Sequence, residues 1–131
     1  TIPNAISAAV SSIARQLNAA AILPLTKSGA TAHNVSKFRP ATPILAITSE
    51  IEVARRLQLV WGIIPLLIQN QTSTSKTFNS AMQIAEDMKI LNKGDVVVET
   101  AGTLSGVSGS TDLIKVGIVG AKSEKNREEI I

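Results

Sequence analysis

Short apolar runs alternate with helix-forming segments along most of this chain. Continuous apolar runs between amphipathic helices are typical of parallel strands that are buried on both faces of a sheet. The alternation therefore predicts an α/β fold with three layers, αβα, around a mostly parallel five-stranded sheet. We expect the last strand to be antiparallel. The predicted strands are Ala20–Leu25, Ile44–Thr48, Ile63–Ile68, Asp95–Thr100 and Leu113–Val119.

Periodicity and end signals place the helices between these strands. In the first helix, apolar residues recur at spacings of four, three and four. Ser49 and Glu52 have the spacing of a capping box, so a helix is predicted from there to about Val60. The apolar face of the first helix consists of Ile6, Val10, Ile13 and Leu17, and another helix covers Ala32–Phe38. The last helix has the apolar face Phe78, Met82, Ala85 and Met88 and ends at Gly94.

Two prolines fall inside predicted strands. Pro24 and Pro65 each lack the N–H group that a sheet ladder uses. We therefore expect both of them near strand ends or at a gap in the pairing.

Length and composition indicate one globular domain. The chain has 131 residues, of which 44% are hydrophobic and 18% are charged. We expect residues 1–120 to form the domain and residues 121–131 to form a charged, mobile tail. The chain does not begin with Met, which suggests a fragment of a longer protein.

Several function classes are excluded by residues that the chain lacks. Without Cys, disulfides, thiolate catalysis and Cys-ligated zinc are impossible, and a single His33 cannot build a His-rich metal site. Three aromatic residues and a net charge of +3 argue against a base-stacking nucleic-acid surface. No apolar stretch approaches membrane-spanning length and no signal peptide is visible, so we expect a cytoplasmic protein. No acid–base pair or nucleophile–base arrangement stands out.

A hydroxyl-rich glycine turn, Thr26–Thr31, follows the first predicted strand and precedes a helix. The N–H groups at a helix N-terminus form an anion site. Here the hydroxyls of Thr26, Ser28 and Thr31 can donate to phosphate oxygens, Gly29 permits close backbone approach, and Lys27 adds a charge. The turn lacks the Walker pattern. The simpler alternative is a connection from strand to helix, with Lys27 in solvent.

Ligands of such sheets bind at the carboxyl ends of the strands. Three loops rich in Gly, Ser and Thr leave strands there: Thr26–Thr31, Gln69–Lys76 and Ala101–Ser110. Their convergence on one edge favours a phosphate pocket. The alternative for the glycines of the third loop, Gly102, Gly106 and Gly109, is a flexible reversal of the chain before an edge strand.

Other conspicuous residues have simple structural interpretations. We interpret Trp61 as a packing anchor between helix and sheet and His33 as a surface or interface residue. Arg55 and Arg56 fit a solvated helix face, with a subunit contact as the alternative. Glu86 and Asp87 are adjacent on a helix and point in different directions, which is typical of surface carboxylates.

A series of motifs resembles the C-terminal domain of pyruvate kinases, and most closely the bacterial form. The resemblance runs from Asn4 to Val119. The motifs are Leu25-Thr26-Lys27-Ser28-Gly29, Ala32-His33-Asn34-Val35-Ser36, Phe38-Arg39-Pro40, Pro43-Ile44-Leu45-Ala46-Ile47-Thr48, Trp61-Gly62-Ile63-Ile64-Pro65, Gly94-Asp95-Val96-Val97-Val98, and Gly106-Val107-Ser108-Gly109-Ser110-Thr111-Asp112-Leu113-Ile114-Lys115-Val116.

The resemblance implies a regulatory domain without catalytic residues. In this family the catalytic residues, the Mg²⁺ and K⁺ ligands and the nucleotide site lie in barrel and lid domains that this chain lacks. The C-terminal domain carries a pocket for a phosphorylated effector and one tetramer interface, so the implied partners are that effector, the catalytic barrel of the same enzyme and further copies. Thr26, Lys27, Ser28, Gly29 and Thr31 match the loop that cradles the effector phosphate, and Gly106, Val107, Ser108, Gly109 and Ser110 match the segment that closes over it.

Departures from the family pattern narrow the expected effector. Ala30 stands where the family often has Arg. No Trp or Arg occurs between Gln69 and Lys89, so the clamp for a second phosphate is not evident. This favours a monophosphate such as AMP or ribose 5-phosphate over fructose 1,6-bisphosphate. A free-standing phosphate-binding or oligomerisation module with the same fold is the alternative function.

Overall fold

The computed structural model describes residues 1–102 and 111–121, and within them helices and strands alternate until two strands follow each other at the end. The predicted tail beyond Ala121 and the predicted effector segment Gly106–Ser110 lie outside the described residues. The elements in chain order are α1 (Ile2–Gln16), β1 (Ala21–Pro24), α2 (Ala30–Lys37), β2 (Ile44–Thr48), α3 (Ile51–Leu57), β3 (Ile63–Leu67), α4 (Thr74–Asp87), β4 (Val96–Gly102) and β5 (Thr111–Ile118).

The five strands form one sheet in the order β3-β2-β1-β4-β5. The first four strands are parallel, and β5 runs antiparallel to β4, as predicted. In the register, Ile22 of β1 lies between Ile44 of β2 and Val98 of β4. The predicted three-layer α/β fold is confirmed.

Side chains alternate between two cores, one on each face of the sheet. Helices α1, α2 and α3 cover the face that contains Ile22 and Val98. Helix α4 covers the opposite face, where Phe78 and Ala81 pack against Leu23 and Val97. Strands buried on both faces explain why the central strands read as continuous apolar runs.

The strand order creates a switch point between β1 and β4. From β1 the chain builds β2 and β3 outward in one direction, and β4 then returns to the other side of β1. In open α/β sheets, a crevice for ligands opens at the carboxyl ends of the strands where the order reverses. The fold therefore brings the loops after β1 and β4 together at that edge.

The predicted capping box at the start of α3 is wrong. The N-cap is Glu50, without a side-chain cap bond, and the helix ends at Leu57 instead of Val60. The hydroxyl of Thr48 instead accepts a hydrogen bond from the Glu50 amide, at 3.2 Å. This bond organises the turn one residue later than a Ser49 cap would.

Helices α1 and α4 end in left-handed residues that their apolar periodicity does not reveal. Lys89 has φ 62°, and the amide of Ile90 donates to the Ala85 carbonyl at 2.8 Å, which is a Schellman ending. Helix α4 therefore ends at Asp87, well before the predicted Gly94. Asn18 ends α1 in the same way, and two residues predicted on buried faces, Leu17 and Met88, are exposed.

Pro24 is the last residue of β1, as predicted, but Pro65 lies in the middle of β3. Strand β3 is at the edge of the sheet and pairs only with β2. The Ile68 amide donates to the Thr48 carbonyl of β2. Since amides alternate in direction along a strand, position 65 faces away from β2. The edge position explains why a central proline costs no ladder bond.

Candidate functional site

The turn after β1 is closed by its own hydroxyl groups. The Thr26 side-chain oxygen is buried and accepts a hydrogen bond from the Gly29 amide at 2.8 Å. The Thr26 amide donates to the Ile47 carbonyl of β2, which anchors the turn to the sheet. Thr26 therefore shapes the turn, and its hydroxyl hydrogen remains a donor that a ligand could use.

The N-terminus of α2 faces the same turn. Four amides at a helix start have no partner within the helix, here those of residues 29 to 32. Thr26 accepts from Gly29, and Ser28 accepts from the Ala30 amide at 3.3 Å. The geometry of the helix leaves the amides of Thr31 and Ala32 without an intrahelical acceptor. Lys27 and Ser28 are exposed beside them. This arrangement can bind an anion.

Gly29 shapes the turn with a positive φ, as expected from the sequence. It is the N-cap of α2 with φ 95°, a conformation that glycine adopts freely. A Cβ atom at this position would lie 3.4 Å from Leu57 and 3.5 Å from Val53, both on α3. A side chain would therefore point toward the core beneath α3. The prediction that Gly29 lets a ligand approach the backbone stays a prediction.

A hydrogen bond joins the first loop to the third. The hydroxyls of Thr31, in the first turn of α2, and Thr111, at the start of β5, are buried and lie 2.6 Å apart. Nearby, the Leu25 amide donates to the Thr100 carbonyl at 2.9 Å. The predicted convergence of these two loops is therefore seen at their anchoring ends.

The second loop reaches the other face of the same edge. Ser73 caps α4 by accepting a hydrogen bond from the Lys76 amide at 3.2 Å, so the predicted loop Gln69–Lys76 ends inside the helix. The first turn of α4 and the β4–β5 pair enclose a cavity of about 220 Å³. Thr74, Ser75 and Phe78 line it from the helix, and Glu99, Thr100 and Lys115 line it from the sheet.

Sequence reasoning missed Glu99 and Lys115. Glu99 lies opposite Lys115 in the β4–β5 register and is only 3% exposed. The available signal was a carboxylate that directly follows three valines in a strand predicted to be buried. A charged residue at such a position requires a partner or a function.

The interpretation of Trp61 as a packing anchor is wrong. Its side chain is 50% exposed, and the guanidinium of Arg39 lies 4.9 Å from the ring centroid. The buried Ser36 hydroxyl donates to the Trp61 carbonyl at 2.8 Å, so the backbone is held by α2. Arg39 has φ 48° because it follows the C-terminal end of α2. The Trp61 ring is therefore half-exposed at the surface, with the Arg39 guanidinium over it.

The remaining candidate residues are surface groups. His33, Arg55, Arg56 and Asp87 are exposed, and Glu86 is half-buried. Arg55 forms an exposed ion pair of 3.2 Å with Glu52. Within the two described ranges, no group of three or more His, Cys, Asp or Glu side chains could hold a metal ion. None of the described helices has the length and apolarity that crossing a bilayer requires.

Comparison with known proteins identifies the family. Residues 4–117 match the family described as pyruvate kinase, alpha/beta domain. The chain is 62% identical over 121 residues to pyruvate kinase 2 of Synechocystis. The aligned region covers 92% of this chain and 20% of that protein. It is 36% identical over 127 residues to the pyruvate kinase of Staphylococcus saprophyticus, or 97% of this chain and 22% of that protein.

A third relative, pyruvate kinase of Staphylococcus aureus, is 37% identical over 120 residues, with 92% of this chain and 20% of that protein covered. The chain thus spans about a fifth of the length of these relatives. The motifs, the α/β sheet and these matches agree. The chain belongs to the family of pyruvate kinase C-terminal α/β domains.

Proposed function

We propose that this chain is the regulatory domain of a pyruvate kinase and that the turn Thr26–Thr31 binds the phosphate group of a small effector. The observation that carries the proposal is the start of α2 at the switch point of the sheet. There, Thr26 and Ser28 shape the turn, and the first-turn amides of α2 follow the exposed Lys27. Backbone amides supply directed donors, whereas Lys27 supplies an exposed charge.

The proposed effector carries one phosphate. AMP and ribose 5-phosphate fit better than fructose 1,6-bisphosphate because the segment between Gln69 and Lys89 has no Trp or Arg. The predicted effector segment Gly106–Ser110 would close over the ligand. Its downstream neighbour Thr111 is bound to Thr31, which supports this role.

The proposed parent protein is an enzyme that transfers phosphate from phosphoenolpyruvate to ADP in the cytoplasm. By the resemblance, its Mg²⁺ and K⁺ ions would be held by the barrel and lid domains. We propose that the domain also contributes to a tetramer. The gene is the first test: a barrel and lid encoded directly upstream of Thr1 supports this assignment, and a start codon there favours a free-standing module.

Calorimetric titration of the 131-residue chain tests the effector site. Ribose 5-phosphate, AMP, fructose 1,6-bisphosphate and inorganic phosphate are titrated in parallel, with ribose as the unphosphorylated control. We expect inorganic phosphate to bind weakly, the two monophosphates to bind more tightly, and ribose not to bind. Equal heats for ribose and ribose 5-phosphate would reject a phosphate site.

A further inference from the structure

The cavity between α4 and the β4–β5 pair contains a carboxylate that the proposed function does not use. Glu99 and Lys115 lie on its sheet side, and Phe78 lies on its helix side. Glu99 is almost fully buried, whereas Lys115 is partly exposed. A buried carboxylate repels anionic groups that enter the cavity, because water screens a buried charge only weakly.

Gly117 makes room for this carboxylate. A Cβ atom at position 117 would lie 2.7 Å from a Glu99 carboxyl oxygen, closer than such atoms approach in proteins. Gly117 lies on β5, opposite Val97. Strand β5 therefore has no side chain beside the Glu99 carboxyl group, and a larger residue at position 117 would require that group to move.

The cavity adjoins the proposed phosphate turn. Thr100 lines the cavity, and its carbonyl accepts a hydrogen bond from Leu25, the residue before Thr26. Thr31, at the end of the turn, bonds Thr111, and Leu113 lines the cavity two residues further along β5. These contacts place the turn and the cavity at the same edge of the sheet, with the cavity on the α4 face.

We propose that Glu99 selects effectors whose second end carries hydroxyl groups and excludes those with a second phosphate. Glu99 and Lys115 are opposite charges on neighbouring strands, so together they present no net positive charge to an anion. A carboxylate has about four lone-pair sites, so it can accept ligand hydroxyls beside a protein partner. Phe78 adds an apolar face to the cavity. A sugar ring or chain has this chemistry, and a second phosphate does not.

This inference rests on the proposed function, because it assumes that a phosphate anchors the ligand at Thr26–Thr31. Glu99→Gln tests it, since the amide keeps the shape and removes the charge. Lys115 then lines the cavity without a carboxylate opposite it in the strand register. We expect the affinity for fructose 1,6-bisphosphate to rise at least about tenfold, because a change of one charge at a few ångströms in a poorly screened site is worth that much.

The control ligand and control variant separate the two proposals. Inorganic phosphate should bind wild type and Glu99→Gln within about twofold, as both have the same turn. Glu52→Gln removes an exposed carboxylate on α3 and should leave all affinities unchanged. Should Glu99→Gln fail to fold by circular dichroism, Glu99→Leu gives the same readout, because an apolar residue can replace a buried charge.

Calorimetry on these variants decides the outcome. A tenfold gain for the bisphosphate with unchanged phosphate affinity supports the role of Glu99. Unchanged bisphosphate affinity in a folded Glu99 variant that still binds phosphate overturns it and leaves the phosphate turn intact. A wild-type chain that binds no phosphate at all overturns both.

Discussion

The hydroxyl oxygens of Thr31 and Thr111 lie 2.6 Å apart, although the residues are 80 positions apart in the chain. Both side chains are buried, so this contact replaces two hydrogen bonds to water. It joins the helix start that follows β1 to the strand that returns beside β4. A ligand that shifts one of these elements must therefore strain or break a bond to the other.

The Thr31–Thr111 bond should appear as coupling in a double-mutant cycle. Either Thr31→Val or Thr111→Val leaves a buried hydroxyl without its partner, and we expect a loss of about 1–3 kcal/mol in the free energy of unfolding. The double variant should lose less than the sum, since no hydroxyl then remains unpaired. Urea denaturation measures all four proteins. Strict additivity would contradict the coupling.

Lys27→Ala should weaken phosphate binding only modestly. The side chain is exposed, and an exposed charge contributes on the order of 1 kcal/mol, or roughly fivefold in affinity. Titration of inorganic phosphate at two salt concentrations measures the effect, with Lys89→Ala as a distant control. Complete loss of binding in Lys27→Ala would mean that a point charge, and not the helix start, holds the anion.

Gly29→Val should destabilise the fold more than Gly62→Val. Both glycines have positive φ, 95° and 74°, and share the backbone penalty of about 1 kcal/mol or more. At position 29 the new side chain also meets Leu57 and Val53, whereas a Cβ at position 62 meets no atom within 4 Å. Thermal unfolding compares the two. An equal loss of stability in both variants would show that α3 shifts to accommodate the added atoms at position 29.

Ser7→Ala should stabilise the chain. Ser7 on α1 is 1% exposed, and its hydroxyl lacks a hydrogen-bond partner within the described part of the protein. Removing it abolishes a desolvation cost and improves helix propensity, so we expect a gain of about 1 kcal/mol. Ser12→Ala is the control, because Ser12 accepts a bond from Gln16 near the surface. A loss of stability in Ser7→Ala would reveal an unrecognised partner.

The chain alone should not convert phosphoenolpyruvate and ADP to pyruvate. The chain matches the α/β domain of pyruvate kinases, and the resemblance places the catalytic residues in other domains. A coupled assay with Mg²⁺ and K⁺ measures pyruvate, with heat-inactivated protein as the control. Pyruvate above that control would contradict the assignment as a regulatory domain.

The strands and their direction were predictable because they depend on local patterns. Apolar runs gave the strands to within about two residues at the ends, and continuous burial indicated a parallel sheet. The end of α4 was not predictable, because Lys89 adopts a left-handed conformation that its residue type does not suggest. The cap predicted at Ser49 was wrong because the hydroxyl of the neighbouring residue Thr48 accepts the hydrogen bond from the Glu50 amide.

The candidate site was only partly predictable, because its geometry depends on strand order. The hydroxyls of the first loop were visible in the sequence, but no local pattern pairs Thr31 with Thr111. Nor does any local pattern indicate that a side chain substituted at position 29 would point into the core. Glu99 was visible as a charge in an apolar strand. Its neighbour Gly117 acquires meaning only when β5 is placed beside β4.

The proline in the middle of β3 limits how this sheet can grow. An incoming strand requires a row of donors along an edge, and Pro65 removes the central donor from the β3 edge. Strand β5 forms the opposite edge over eight residues and contains no proline. Self-association by strand addition, whether in orderly assembly or in aggregation of the isolated domain, is thereby directed to β5.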